Sequence, residues 1–421
     1  MESVEPSTGN ADAPDRLHRR YRWAVLAVFA VAAGVTQMLW LNFAPLLSMV
    51  QTRYGVSELV ASTLVLVFPL VYVFLSLPAG ALIDSRGYRV GVGFGMVLTA
   101  AFAALRIWDT YFAVLMVAQV GIAVAQPFVM NGISKLIADW FDETEGATAN
   151  GIGTGGMFLG MAIGMATTPA LEEAVGLRWT MVVFFAIAVA AAAAFIAVAR
   201  ANTPGAAPAV VEQSPTAAFG ALLKDRQLLL CFTAVFFGMG TFNGITTWLE
   251  EILKPQGISA TTAGLVGAVL IVGGIVGAVV IPLLSDKVKK RRPFLIVCSL
   301  VSAGCTWLLC TSGQVGALMA YAGLLGFFFM PAFALLLDAS AIFAGVHRAG
   351  AATSLLMLCG NGGAVLVIVA IPLLKESAGS YALPVLLMVG AMVVAAAVAA
   401  VMREPLAPAN PLSPGSGRGP G

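Results

Sequence analysis

Long apolar stretches separated by short polar breaks run the length of this chain. They cover approximately 22–50, 57–83, 90–107, 111–138, 146–171, 178–200, 227–250, 258–285, 293–311, 315–339, 349–374 and 380–402. A membrane-crossing helix needs roughly 20 apolar residues, so the pattern predicts twelve crossings. The runs are continuous and do not alternate apolar with polar positions, which argues for helices against a β-barrel, since a helix satisfies its own backbone in lipid. The expected fold class is therefore all-α and integral to the membrane.

Composition agrees: 59 % of the 421 residues are hydrophobic, 10 % are charged, and the mean hydropathy is +0.93. Outside the spans the chain changes character. Residues 1–21 and 404–421 are rich in Pro, Gly and Ser and are expected as disordered tails. The stretch 201–226, with Pro204, Pro208 and Pro215, is expected as a linker between a first bundle at 22–200 and a second at 227–403. Because the first apolar run is of full length and follows Arg16, Arg19, Arg20 and Arg22, it is read as a retained helix and not a cleaved signal peptide.

Charge sets the orientation. With both termini in the cytoplasm, 18 of the 23 Lys and Arg fall on that side, as the positive-inside rule requires. The acidic loop "DWFDETEG" between spans four and five runs against this count, but acidic residues weigh little in it. The Ala-rich composition suits a bacterial inner membrane. All five Cys fall within spans, without disulfide or zinc spacing, and both His lie outside the spans. Neither a metal nor a cofactor is expected. There is no nucleotide-binding P-loop, and Gly-rich strings such as "GIGTGG" sit in an apolar helix, so no enzyme is expected. The expected partners are a small-molecule substrate and membrane lipid, without nucleic acid, for a monomer.

The two bundles look alike. "GALIDSRGYR", starting at Gly80, and "LLSDKVKKRRP" occupy the turns after spans two and eight, with Asp84 and Asp286 202 positions apart. "GATANGIGTGGMFLGMAIGMATTPAL" from Gly146 is similar to "GAATSLLMLCGNGGAVLVIVAIPLL" from Gly350, with offsets of 203 to 204. A parallel repeat of two six-helix halves is the layout of many transporters. Gly156, Gly160 and Gly164 in span five, and Gly273 and Gly277 in span eight, stand four apart. That spacing predicts close helix contacts, either generic packing or a sliding seam between the halves.

Gly80, Asp84, Gly87 and Arg89 fit the G-x-x-x-D-x-x-G-x-R loop signature of the major facilitator superfamily, in the turn where that family carries it. The resemblance implies the major facilitator fold and alternating access. It also implies a cytoplasmic gate of Asp84, Arg86 and Arg89, with Asp84 facing the positive N-terminus of the helix that starts near Arg348 when that side is shut. Asp286 is the second-copy counterpart, although Pro282 stands where the signature has Gly.

No span carries Asp, Glu, Lys or Arg in its interior. A proton relay usually needs such a residue at mid-membrane, and an anion carrier needs a buried Arg or Lys, so a neutral, zwitterionic or cationic substrate fits better. The candidates to line a site are polar and aromatic: Gln37, Trp40, Asn42 and Phe43 in span one, Gln126 and Asn131 around Pro127 in span four, and Phe242, Asn243, Thr246, Thr247 and Trp248 in span seven. A Trp face holds a quaternary ammonium by about 2 kcal/mol once water is excluded. Buried Asn or Gln more often bonds a neighbouring helix, which leaves Asn131 and Asn361 open. Trp23, Trp140, Trp179, Trp307 and Tyr111 read as interfacial anchors.

"NFAPLLSMVQTRYGVS", "AVAQPFVMNGISKLIADWF" and "LGMAIGMATTPAL" resemble one branch of the superfamily, the feline leukaemia virus subgroup C receptor related transporters of haem, choline and ethanolamine. By that resemblance Trp40 matches the branch's choline-pocket Trp and Gln126 its span-four Gln. Asn243 replaces the expected cage Tyr, for which Phe242 or Trp248 is the candidate substitute. Asp338 falls near an acidic position of the branch and also reads as a simple helix-end charge. Three functions follow. The first is a uniporter or potential-driven carrier of a small organic solute, an amine or other cation, at a site of Trp40, Gln126 and Asn243, with Asn131 and Trp248 as further candidates. The second is proton-coupled efflux, which predicts an acidic residue in a span and a Gly-Pro pair in span five, where Gly164 is followed by Met165. The third is a non-transporting receptor or sensor on a carrier scaffold.

Overall fold

The computed structural model describes residues 12–200, 220–345 and 348–405, and these contain helices without any strand. Residues 1–11 and 406–421 of the expected tails and 201–219 of the expected linker lie outside the described residues. The first helix, α1, runs Asp12–Leu41, so the basic stretch before the first span continues the membrane helix outward and shortens the expected tail. A 3₁₀ turn at Ala44–Leu46 and α2 (Leu47–Tyr54) complete the first crossing. Then follow α3 (Glu58–Arg86), α4 (Tyr88–Leu105), α5 (Phe112–Met130), α6 (Gly132–Trp140) and α7 (Glu143–Val198). The second half comprises α8 (Arg226–Leu253), a 3₁₀ turn at Lys254–Gln256, α9 (Ala260–Val288), α10 (Arg292–Thr311), α11 (Val315–Ala344), α12 (Ala349–Ala378) and α13 (Ala382–Val401).

Eleven stretches are long and apolar enough to cross a membrane, one of them 51 residues long at Thr148–Val198. At 1.5 Å per residue that would reach about 75 Å, against a hydrocarbon core of roughly 30 Å. The excess is resolved at Gly176, where φ 76° and ψ 164° interrupt the helix in a region that essentially only glycine occupies. Both ends of α7 return to the start of α1: Arg22 pairs with Glu145 at 2.7 Å, and the Tyr21 hydroxyl donates to the Val198 carbonyl. The long stretch is thus two crossings, and the expected twelve result.

The repeat extends into backbone detail at an offset of 202. Gly55 and Gly257 both adopt a left-handed conformation. Ser57 and Ser259 both cap the following helix through their hydroxyls, and α3 and α9 are both 29 residues long. Gly87 and Lys289 both have positive φ, 83° and 54°. The second glycine of the signature therefore has a local reason: the chain turns there through a conformation strained for any side chain. Lys289 holds the lesser, left-handed version of that turn.

The four-residue glycine spacings are seams inside each half. Gly34 on α1 meets Gly156 and Gly160 on α7, and Gly273 and Gly277 on α9 meet Gly323 and Phe327 on α11. The reading of these stripes as a sliding seam between the halves is corrected, because each half buries its own stripe. Where the halves do meet, the small residues are Gly264 and Gly267 on α9, set against Met165 of α7.

Candidate functional site

Side-chain bonds join the halves at one end of the bundle, the end opposite the chain termini. Ser48 donates its hydroxyl to Glu250 Oε1 at 2.6 Å and its N–H to Glu250 Oε2 at 3.2 Å. Gln51 Nε2 donates to Glu251 Oε1 at 2.5 Å. Glu58 pairs with Lys375 and accepts from the Tyr381 hydroxyl at 3.4 Å. Ser48 lies in the first turn of α2, whose N–H groups lack helical partners, so the Glu250 carboxylate caps a helix of the opposite half.

The terminal end differs. Its ion pairs stay within one half: Arg22 with Glu145, and Arg291 with Asp286 at 3.5 Å and with Asp338 at 2.5 Å. Asp84, Arg86 and Arg89 are all exposed, and among the described residues no hydrogen bond or ion pair crosses between the halves there. Asp338, expected as a helix-end charge or a branch position, is a partner of Arg291. Asp286 shares that arginine and stands in its own half's network.

Within the bundle the first crossing breaks after Leu41, where Pro45 opens the 3₁₀ turn. Trp40 is therefore in the last turn of α1. It is buried, its indole N–H donates to the Val65 carbonyl at 3.1 Å, and its ring stacks on Phe68 at 6.0 Å. With the N–H engaged by α3, the ring has no donor left to offer, and one of its faces is taken by Phe68. Gln126 is buried at 4 % exposure and makes no hydrogen bond to a described residue. It lies one residue before Pro127, which cannot donate to the helix ladder. Gln37 donates to Met130 Sδ at 3.0 Å and keeps a buried, unpartnered carbonyl oxygen.

In the second half, the Asn243 amide N–H bonds back to the Met239 carbonyl at 2.9 Å while Oδ1 stays buried without a partner. Two expected site residues are otherwise engaged. Asn131 accepts from the Tyr72 hydroxyl at 2.9 Å and donates to the Ser76 carbonyl at 2.8 Å, tying α3 to the α5–α6 joint. Trp248 is fully buried, with its N–H on the Ile368 carbonyl at 3.1 Å, so it packs α8 against α12 and cannot replace a missing cage wall. Phe242, stacked on Phe329 at 5.5 Å, is the aromatic left for that role. Asn361 bonds back to the Met357 carbonyl. Trp140, expected as an interfacial anchor, is buried and donates to the Tyr88 hydroxyl at 2.8 Å.

Four charged residues among those described lie deeper than their sequence positions imply, Asp109 in the turn after α4 among them. Glu250 and Glu251 belong to the last turn of α8 and are buried, and Arg106, just past α4, is fully buried. Two consecutive carboxylates at a helix C-terminus oppose the helix dipole, a signal that marks them for a partner outside their own helix. They sit in the seam between the halves and not in mid-bundle.

Comparison with known proteins completes the picture. The profile of the Major Facilitator Superfamily matches residues 28–368 and 257–417. The chain is 31 % identical over 333 residues to "Solute carrier family 49 member A3" of Danio rerio, covering 72 % of this chain and 69 % of that protein. It is 26 % identical over 348 residues to "Choline/ethanolamine transporter flvcr2a" of Danio rerio, covering 75 % and 74 %. It is also 36 % identical over 183 residues to an uncharacterized protein of Archaeoglobus fulgidus, covering 44 % and 82 %.

Proposed function

The chain belongs to the Major Facilitator Superfamily, a family of transporters and not of enzymes, and is related to the choline/ethanolamine transporter FLVCR branch; on that premise we propose that it carries a small organic amine or other cation by alternating access. The observation that carries the substrate class is the character of the groups offered: an indole face at Trp40, an unengaged amide at Gln126, and buried carbonyl oxygens at Gln37 and Asn243 that lack donors. An ammonium supplies the positive charge for the ring and the N–H or polarised C–H donors for the oxygens. The names of the relatives support the same class.

In this reading the conformation is the one shut at the far end and open at the terminal end, with the termini cytoplasmic and the membrane a bacterial inner membrane. The cation moves down its gradient, aided by the membrane potential at roughly 2.3 kcal/mol per 100 mV. The protein acts as a monomer.

The test is a melting-temperature panel in detergent with quaternary and primary amines, neutral metabolites and organic anions. Stabilisation by amines is expected, and Trp40→Ala weakens amine binding by more than about tenfold, or roughly 1.4 kcal/mol. Stabilisation by anions or neutral solutes alone refutes the substrate class, and undiminished amine binding in the variant makes Trp40 a packing residue. Asp84 tests the cycle separately. Being exposed and unengaged here, it acts only in the opposite conformation, so Asp84→Asn lowers turnover while substrate affinity and melting temperature stay near wild type. A large affinity loss with unchanged turnover would reject the gate.

A further inference from the structure

Arg106 carries a positive charge into a place with no negative one. Its side chain is only 1 % exposed, and the guanidinium lies 4.6 Å from the centre of the Phe43 ring. Its one hydrogen bond runs from Nη2 to Asn42 Oδ1 at 2.8 Å. Nε and Nη1 of Arg106 and Nδ2 of Asn42, itself fully buried, all lack partners. The nearest acid in sequence, Asp109, is held elsewhere: its carboxylate takes Arg53 at 2.5 Å and its carbonyl accepts from the Tyr54 hydroxyl at 2.7 Å.

An unpaired buried cation is strongly disfavoured unless a counter-charge joins it. We propose that Arg106 and Asn42 form a binding site for a small monovalent inorganic anion of the chloride type, held by a free N–H of the guanidinium and the free amide N–H of Asn42. The two residues are hydrogen-bonded to each other, Nη2 to Oδ1 at 2.8 Å, which keeps their free donors in one neighbourhood; Nε–H and Nη1–H leave different edges of the planar guanidinium, so the anion takes one of them together with the Asn42 amide. A halide fits because it accepts several donors and needs no carboxylate geometry. The site lies at the break between α1 and the first 3₁₀ turn, two residues beyond Trp40. The anion thus neutralises the structural charge of the corner that carries the proposed substrate ring.

The experiment is a thermal melt of the full chain in detergent, exchanging sodium gluconate for sodium chloride at constant ionic strength. The midpoint is expected to rise by roughly 2 °C per tenfold chloride once the site begins to fill, with bromide acting alike. Arg106→Met abolishes the response and in gluconate melts no lower than wild type, since it removes the uncompensated charge while keeping the stem. A wild type indifferent to chloride, or an Arg106→Met variant that still responds, overturns the site. Equilibrium dialysis with radioactive chloride keeps the test open if that variant fails to fold. Wild type then shows saturable binding that bromide displaces and that Asn42→Ala weakens by roughly tenfold; absence of saturable binding overturns the proposal.

Discussion

Gly160→Ala is expected to leave little monodisperse protein after detergent extraction, with the surviving fraction melting far below wild type. A Cβ at Gly160 would stand 1.9 Å from the Gly34 carbonyl oxygen and 2.4 Å from its carbon. Both are backbone atoms of α1, so no side chain can swing aside, and α1 and α7 must separate along a seam that also contains Gly156 and Gly164. Overpacking a core by one or more methylenes usually costs about 1–3 kcal/mol; a rigid backbone clash across the longest seam of the half reaches the top of that range or beyond. Gly155→Ala is the control, because its Cβ meets nothing within 4 Å and alanine favours the helix by roughly 0.5–1 kcal/mol. Fluorescence-detected gel filtration and a melt of both variants decide it. A Gly160→Ala protein as stable as Gly155→Ala would show that the two helices are not this close.

Opening the far end is the second large effect. Glu250→Ala combined with Glu58→Ala removes the cap on α2 and the ion pair with Lys375, both of which link the halves at that end only. Hydrogen bonds to charged groups contribute about 1.5–3 kcal/mol each, though exposure of the Glu58–Lys375 pair discounts its share. A net shift of about 2 kcal/mol changes the ratio of conformations roughly thirtyfold. Spin labels at Thr52 and Ser380, both exposed and in opposite halves, report it by pulsed electron paramagnetic resonance: the longer-distance population grows at the expense of the shorter. An unchanged distance distribution would mean that the apolar seam of Gly264 and Gly267 against Met165, and not the polar bonds, holds the far end shut.

Relations along the chain were legible without coordinates. The twelve crossings follow from runs of apolar residues, because a bilayer admits only helices of a certain length, and the 51-residue stretch carries its polar break just before the interruption at Gly176. The repeat was equally plain, since Asp84 and Asp286 mark equivalent turns and the 202-residue offset recurs in Gly55 with Gly257 and Ser57 with Ser259. What a side chain does with its partners was not legible. Asn131 and Gln126, five residues apart, looked alike as polar residues in an apolar span, yet one is taken by Tyr72 and Ser76 and the other is unengaged. Trp40 and Trp248 both donate their indole N–H to a carbonyl of a neighbouring helix, and only their places differ: Trp40 stands at the break after Leu41, Trp248 between α8 and α12. Glu250, Glu251 and Arg106 counted in sequence as flanking charges at span ends, where water normally solvates them. Their burial comes from the opposite half in one case and from the corner at Asn42 and Phe43 in the other. Sequence by itself determined the number, order and symmetry of the helices, since those depend on hydrophobic length and local backbone chemistry. Only the tertiary structure decided which polar groups remain free and at which end side-chain bonds join the two halves, because both depend on distances between residues far apart in the chain.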